Sequence, residues 1–312
     1  MTYMVTGGTG FVGSWVVKAI LERGHDVVCF ELAPNLRTLD TVLGADAGRV
    51  KVVTGDVLHV HTIIDAIRSH GVTHIAHVAA AVMKVCAANP PYAMQVNVVG
   101  FANMLEACRL AGIKRMAYAS SGAVFGAGYG NALVPNDARF APNTIYGASK
   151  VMGEALAEHY RAGHGVDAIG LRYTFVNGHG MPDSIGRKAI DELCTKPANG
   201  DPGHVPWGDD SPDWLWAGDA GRATALALDV SPSPKTRAFN IVGECRPMAD
   251  AIAYVRKLLP EVRLTAEKGG LGFTRLDGTA AATELGYRPE WSMERQLRAH
   301  IDHARGGPAS LG

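Results

Sequence analysis

At 312 residues, 47% hydrophobic and 19% charged, the chain has enough apolar content to bury a sizeable interior as one large domain or two lobes on a shared core. Thirty basic residues balance thirty acidic ones, so no net field draws it to nucleic acid or to an anionic membrane, and neither is an expected partner. No apolar run reaches the ~20 residues of a membrane helix, and MTYMVTGGTG has no basic flank of the kind that opens a signal peptide.

Five widely spaced cysteines (Cys29, Cys86, Cys108, Cys194, Cys245) form no C-x-x-C pair, and four lie among apolar neighbours. They read as reduced thiols, and the expected location is cytoplasmic.

In chain order, β-branched runs at 3–6, 26–30, 50–53, 74–78, 115–119 and 168–172 alternate with helical patterns at 11–23, 60–70, 90–111 and 147–163. Strand and helix in alternation predict a doubly wound α/β fold whose parallel sheet is covered on both faces. After about residue 175 the rhythm breaks. Pro and Gly cluster in KPANGDPGHVPWG, and helices are predicted at 184–195, 218–229, 247–259 and 292–304. The expected organisation is a dinucleotide-binding domain at 1–175, with about 218–242 returning to it. A smaller C-terminal α/β substrate-binding lobe takes 176–217 and 243–312, and the tail at 306–312 is expected to fray.

GGTGFVG, from Gly7 to Gly13, follows the first strand and opens the first helix. Glycines there let the chain turn sharply and let a pyrophosphate approach the positive helix end, with the last glycine allowing close helix–strand packing. Glu31 ends the second strand, placed to hydrogen-bond a ribose diol and to repel a 2′-phosphate. That favours NAD. Arg37 lies close enough in sequence to leave NADP open. His59 and His61, and His74 and His77, lack a third ligand, so no metal site is expected.

In IYGASK, four-residue spacing puts Tyr146 and Lys150 on one helix face. A phenol is a poor base at its usual pKa of about 10, and a neighbouring ammonium pulls that value down. Ser120 and Ser121 follow the fifth strand, where open parallel sheets bind ligands and a hydroxyl can hold a substrate oxygen.

With these residues, the chain resembles the extended short-chain dehydrogenase/reductase family, the NAD-dependent epimerase/dehydratase group. The matching motifs are TGGTGFVG, GDV, HVAAAV, VNVVGFANMLEAC, SSGAVFG, YGASK, LRYTFVNG and ELGYRP, in order from residue 6 to residue 289. The resemblance implies a Rossmann fold in which Gly7, Gly10, Phe11, Val12 and Gly13 hold the dinucleotide phosphates and Glu31 the adenosine ribose. Asp56 and Val57 flank the adenine, and Ala79, Ala80 and Asn97 line the cofactor channel. Tyr173 and Thr174 lie near the nicotinamide. Ser121, Tyr146 and Lys150 form the catalytic set, with Lys150 binding the nicotinamide ribose and lowering the Tyr146 pKa. A homodimer through the helices at 90–111 and 147–163 is implied in the same way.

The sequence also departs from the family. Sugar dehydratases carry an Asp-Glu pair where this chain has Gly122 and Ala123, so dehydration is not expected. Nucleotide-sugar enzymes anchor the diphosphate with an asparagine and an arginine, and here those places hold Phe175 and Pro212. The expected activity is hydride transfer between NAD and a small secondary alcohol or ketone. The alternatives are an epimerase working through a transient ketone and a non-catalytic dinucleotide sensor. By family analogy Val82, Met83, Lys84, Phe125, Phe175, His179 and Trp207 are expected near the substrate. Trp214 and Trp216 are expected to be core, each indole N–H needing a partner.

Overall fold

The computed structural model describes residues 1–130 and 132–307, so most of the tail expected to fray lies outside the described residues. Its strands are β1 (Thr2–Thr6), β2 (Asp26–Glu31), β3 (Lys51–Thr54), β4 (Val72–His77), β5 (Arg115–Ser121), β6 (Leu133–Val134), β7 (Ala168–Tyr173), β8 (Phe175–Asn177), β9 (Gly203–Val205), β10 (Asp213–Trp216), β11 (Ala238–Ile241), β12 (Glu244–Cys245), β13 (Leu264–Ala266) and β14 (Arg275–Leu276). Seven of them make one sheet in the order β11-β7-β5-β4-β1-β2-β3, and every pairing in it is parallel. The order reverses between β1 and β4, which opens a crevice at their carboxyl ends.

Alternation along β1 shows why the sheet needs two covers. Val5 points into a core under helices Phe11–Glu22 and Ala217–Asp229. Its neighbour Met4 points into a second core under helices Val60–His70, Phe101–Ala111 and Ile145–His164. Gly221 lets the first cover close tightly, because a Cβ there would stand 2.3 Å from the Trp15 carbonyl oxygen.

The predicted helices at 60–70, 218–229, 247–259 and 292–304 appear within a residue or so of their expected ends. Two others are broken. The 90–111 pattern divides into Pro90–Met94, a π-helical turn Gln95–Gly100 and Phe101–Ala111. The 184–195 pattern divides into Ile185–Ile190 and a π-helical turn Asp191–Thr195. The first break lies where Asn97 turns inward, its amide accepting from the Ala81 N–H at 2.8 Å and donating to the Ala81 carbonyl at 2.9 Å. Periodicity missed helices Leu36–Leu43 and Met83–Ala88 and strand β11, all short.

A third core joins Ile190, Leu193, Trp214, Met248, Ile252, Leu297 and Ile301. Trp214 and Trp216 are 1% and 0% exposed, as core residues should be, but they serve different clusters. Trp214 donates its indole N–H to the Arg246 carbonyl at 3.1 Å. Trp216 stacks on Trp291 at 4.5 Å, and its N–H has no partner among the described residues. No described helix is long and apolar enough to cross a membrane.

Candidate active site

The phosphate-loop glycines are required by contact. Gly7 has φ +70°, and a Cβ there would lie 2.8 Å from the Ala79 nitrogen, so only glycine lets the loop meet the end of β4. At Gly13 a Cβ would lie 1.9 Å from the Gly7 carbonyl oxygen. Helix Phe11–Glu22 starts from Gly10 with no side-chain cap and no acid in its first turn, leaving the amides of Phe11, Val12 and Gly13 without helical acceptors. Glu31 accepts from the Thr9 N–H at 2.8 Å and the Thr9 hydroxyl at 3.0 Å, which holds its carboxylate beside the loop. Burial raises its pKa, against those bonds and one from Gly10. An uncapped helix start with a fixed acid beside it fits a dinucleotide. Gly13→Ala is expected to cost about 1–3 kcal/mol by overpacking, read as a lower urea midpoint, together with weaker NAD binding by calorimetry.

Other residues assigned to the cofactor are held by the protein itself. The Asp56 carboxylate accepts from the Leu58 N–H at 2.9 Å, and Val57 packs against Gly100. Ala79 donates its N–H to the Thr6 carbonyl at 3.0 Å, and Ala80 continues the same strand-end loop. Asn97 is 6% exposed and spends its amide on Ala81 and, at 3.1 Å, on the Ser149 hydroxyl, so it shapes the channel wall from behind. Tyr173 hydrogen-bonds the Thr224 hydroxyl at 2.6 Å, Thr174 donates its hydroxyl to the Ile241 carbonyl at 3.4 Å, and burial pushes the Asp213 carboxyl up to about 7.

Ser121, Tyr146 and Lys150 come together at the end of β5 and the start of helix Ile145–His164, which Thr144 caps through the Gly147 N–H at 3.0 Å. The Lys150 Nζ lies 5.5 Å from the Tyr146 ring centroid and donates to the Ala119 carbonyl at 2.7 Å. Burial pushes the Tyr146 phenol up to about 12, and the hydrogen bond from Ser121 is what lowers it. Burial pulls Lys150 down to about 8. Ser120 points elsewhere, donating to Glu154 at 2.6 Å.

The substrate expectations divide. Phe175 and Trp207 share an apolar pocket with Pro212, Trp214 and Phe273. Phe273 was invisible in the sequence except as an aromatic in a glycine-rich stretch. Trp207 has φ +57°, strained for a bulky residue, and its loop is clasped to the 269–272 loop by Asp209 and Asp210, which accept backbone N–H groups there at 2.7 to 3.2 Å. Val82 and Met83 are 54% and 55% exposed, and Lys84 reaches Asp183 at 3.3 Å as an exposed ion pair.

Two expectations are corrected. Phe125 is 0% exposed, packed against Phe140 and Tyr129 with the Arg172 guanidinium over its ring, so it offers a substrate no surface. His179 is buried against Trp216 and His300, away from Tyr146, because the glycines on either side of it turn its loop toward helix Met293–Ala304.

Residues 3–242 match the NAD dependent epimerase/dehydratase family. The chain is 27% identical to UDP-glucuronate 4-epimerase 4 of Arabidopsis thaliana, over 96% of this chain and 74% of that one. It is also 27% identical to D-erythronate dehydrogenase of Cupriavidus necator, over 97% and 99% of the two chains. Among solved structures, UDP-glucose 4-epimerase of Thermus thermophilus in complex with NAD superposes with a TM-score of 0.79 at 25% identity, over 98% and 99% of the two chains. A glycine cradle at the sheet's switch point, a Ser-Tyr-Lys cluster beside it and this breadth of similarity lead to one conclusion: the chain belongs to the NAD-dependent epimerase/dehydratase family, as an NAD-dependent enzyme of the extended short-chain dehydrogenase/reductase type.

Proposed function

We propose that this enzyme interconverts a small secondary alcohol and its ketone, using NAD, and that its substrate is not a nucleotide sugar. Support comes above all from the pocket wall. Phe175 and Pro212 stand where diphosphate anchors are expected, and Phe175 packs edge-on to Phe273 at 5.5 Å and to Trp214 at 6.3 Å. Rings that fill this space provide no donors for two phosphates. The similarity to D-erythronate dehydrogenase, a protein named for a small hydroxy acid, points the same way.

In this reading Gly7, Gly10, Phe11, Val12, Gly13 and Glu31 hold the phosphates and ribose, and Asp56, Val57, Ala79, Ala80, Asn97, Tyr173 and Thr174 frame the rest. The bound nicotinamide supplies the hydride acceptor or donor. Tyr146 takes the hydroxyl proton in oxidation and returns it in reduction, Ser121 holds the substrate oxygen, and Lys150 orients the ribose. Val82, Met83, Lys84, Phe175 and Trp207 bound the substrate space. The chain divides into a cofactor domain at 1–175 with about 218–242, and a substrate lobe from the rest. Five free cysteines, four of them buried, support a reducing, cytoplasmic setting.

Purified enzyme with NAD and a panel of hydroxy acids, sugar acids and aryl alcohols is expected to form reduced NAD with at least one small hydroxy acid, while UDP does not inhibit. Turnover confined to a UDP-sugar, or strong inhibition by UDP, would refute the substrate class. The similarity to UDP-glucuronate 4-epimerases favours a second reading, an epimerase of a non-nucleotide substrate. It predicts interconversion of epimers with no net reduced NAD.

Ser121→Ala removes the bond that lowers the Tyr146 pKa. The deprotonated phenol is the active base in oxidation, so the acid limb of kcat/KM is expected to move about one to two units toward alkaline pH. An unmoved limb in the pH profile would remove Ser121 from this role.

Val99, Leu110 and Met152, 51%, 47% and 45% exposed, support a homodimer through the elements that carry them. Light scattering is expected to give twice the chain mass, and Leu110→Lys to reduce it to one.

A further inference from the structure

Between Gly8 and Gly10 the phosphate loop carries a side chain, Thr9, which is 1% exposed and has no part in the steric demand met by the glycines. Its hydroxyl joins three pieces of chain. The ionised Glu31 carboxylate can only accept, so the Thr9 hydroxyl proton goes to Oε1 at 3.0 Å, and the Thr9 N–H goes to the same oxygen at 2.8 Å. A lone pair of that hydroxyl takes the Asn35 N–H at 3.0 Å. The loop after β1, the acid at the end of β2 and the start of helix Leu36–Leu43 therefore meet at one oxygen atom.

Glu31 needs such a hold. Its backbone is fixed on the β3 side, where its carbonyl accepts from the Gly55 N–H at 2.8 Å, but rotatable bonds still separate that backbone from the carboxylate. A glutamate free about those bonds has to be ordered each time a ribose binds, and it can swing away from a 2′-phosphate instead of repelling it. With Oε1 held by two donors from Thr9, the carboxylate keeps one place. Beyond it the chain turns through 32–35 to exposed Arg37, the cation toward which a tolerated 2′-phosphate would be drawn. The bond from Asn35 to Thr9 fixes that turn to the phosphate loop.

We propose that Thr9 is a positioning residue for cofactor choice: its hydroxyl holds Glu31 and the 32–35 turn so that the site takes the free 2′-hydroxyl of NAD and rejects the 2′-phosphate of NADP. The proposal rests on the assignment of Glu31 to the adenosine ribose, and the test separates the two.

Titration calorimetry on the full-length chain, with no substrate added, gives the affinities for NAD and NADP in wild type, Thr9→Val, Thr9→Ser and Glu31→Gln. Thr9→Val keeps the branched shape and the backbone bond to Glu31 but has no hydroxyl. It is expected to bind NAD about tenfold more weakly and NADP no worse than wild type, so the preference for NAD falls about tenfold. Thr9→Ala, which crowds the loop less, is measured beside it and is expected to show the same fall. Thr9→Ser keeps the hydroxyl and is expected to hold the preference within about threefold of wild type. A merely structural role would lower the thermal midpoint and weaken both cofactors alike, leaving their ratio in place. An unchanged ratio in Thr9→Val and Thr9→Ala beside a relaxed one in Glu31→Gln would overturn the role of Thr9 alone, as would a loss that Thr9→Ser shares. An unchanged ratio in all the variants, or no preference for NAD in wild type, would overturn the assignment of Glu31 as well.

Discussion

Tyr146→Phe is expected to lower kcat for the alcohol by about 10²- to 10⁴-fold, with little change in NAD affinity or in the circular dichroism spectrum. The substitution removes one oxygen, the one bonded to Ser121 beside the Lys150 ammonium. Two other polar groups in this region are already engaged. Ser120 is committed to Glu154, and the Cys86 thiol donates to the Ala81 carbonyl at 3.2 Å with its pKa raised by burial. A phenol that burial pushes up to about 12 makes a clear kinetic demand. Oxidation by the wild-type enzyme should be faster as pH rises, because the base must be deprotonated, and reduction should favour lower pH. Steady-state kinetics of the variant in both directions gives the check. If Tyr146→Phe retains most of its turnover, the proton is moved by another group and the mechanism above is wrong.

The largest effect on stability is expected at Arg172. Its guanidinium meets Glu154 in a fork, Nε to Oε1 at 2.9 Å and Nη2 to Oε2 at 2.7 Å, with both side chains under 10% exposed. Nη1 donates to the Asn136 carbonyl at 2.7 Å, and the guanidinium carbon lies 5.1 and 5.2 Å from the Phe125 and Phe140 ring centroids. Arg172→Met leaves the Glu154 carboxylate buried with only Ser120, and breaking such a pair from one side costs about 3–5 kcal/mol. The readout is the urea midpoint at unchanged slope. Glu154 lies one helical turn beyond Lys150 and two beyond Tyr146, so this network also sets the catalytic helix against β5. A lower kcat in whatever Arg172→Met protein remains folded is therefore expected as well. The exposed Arg161–Glu158 pair is the control, and breaking it should leave the midpoint in place.

How far the site could be read beforehand follows from how local each feature is. The glycine loop was legible because strand, turn and helix are continuous in sequence and the steric demand at Gly7 and Gly13 is met within one loop and its neighbour strand. Helical spacing puts Tyr146 and Lys150 on one face, and it was the family motif that made the pair legible as catalytic. The choice of Ser121 over Ser120 came from the motif, and strand alternation gives the reason, since adjacent residues of β5 face opposite sides of the sheet. Phe125 and His179 misled for the opposite reason. Motif position placed both near the substrate, but neither the Arg172 guanidinium that covers Phe125 nor helix Met293–Ala304, against which His179 packs, lies near them in sequence. The aromatic pocket assembles Phe175, Trp207, Trp214 and Phe273 from separated loops and strands, and no periodicity links them.

By itself the sequence determined the parallel α/β architecture and the geometry of the glycine loop, since both depend on backbone geometry and spacing over a few residues, while the Ser-Tyr-Lys set came from the family resemblance. Only the tertiary structure decided which aromatics close the place of the diphosphate, that burial raises the Tyr146 pKa against the bond from Ser121, and that His179 lines a second pocket. Those outcomes depend on desolvation and on contacts between residues 25 to 120 positions apart. Burial and long-range contact are properties of the packed chain, and local pattern does not contain them.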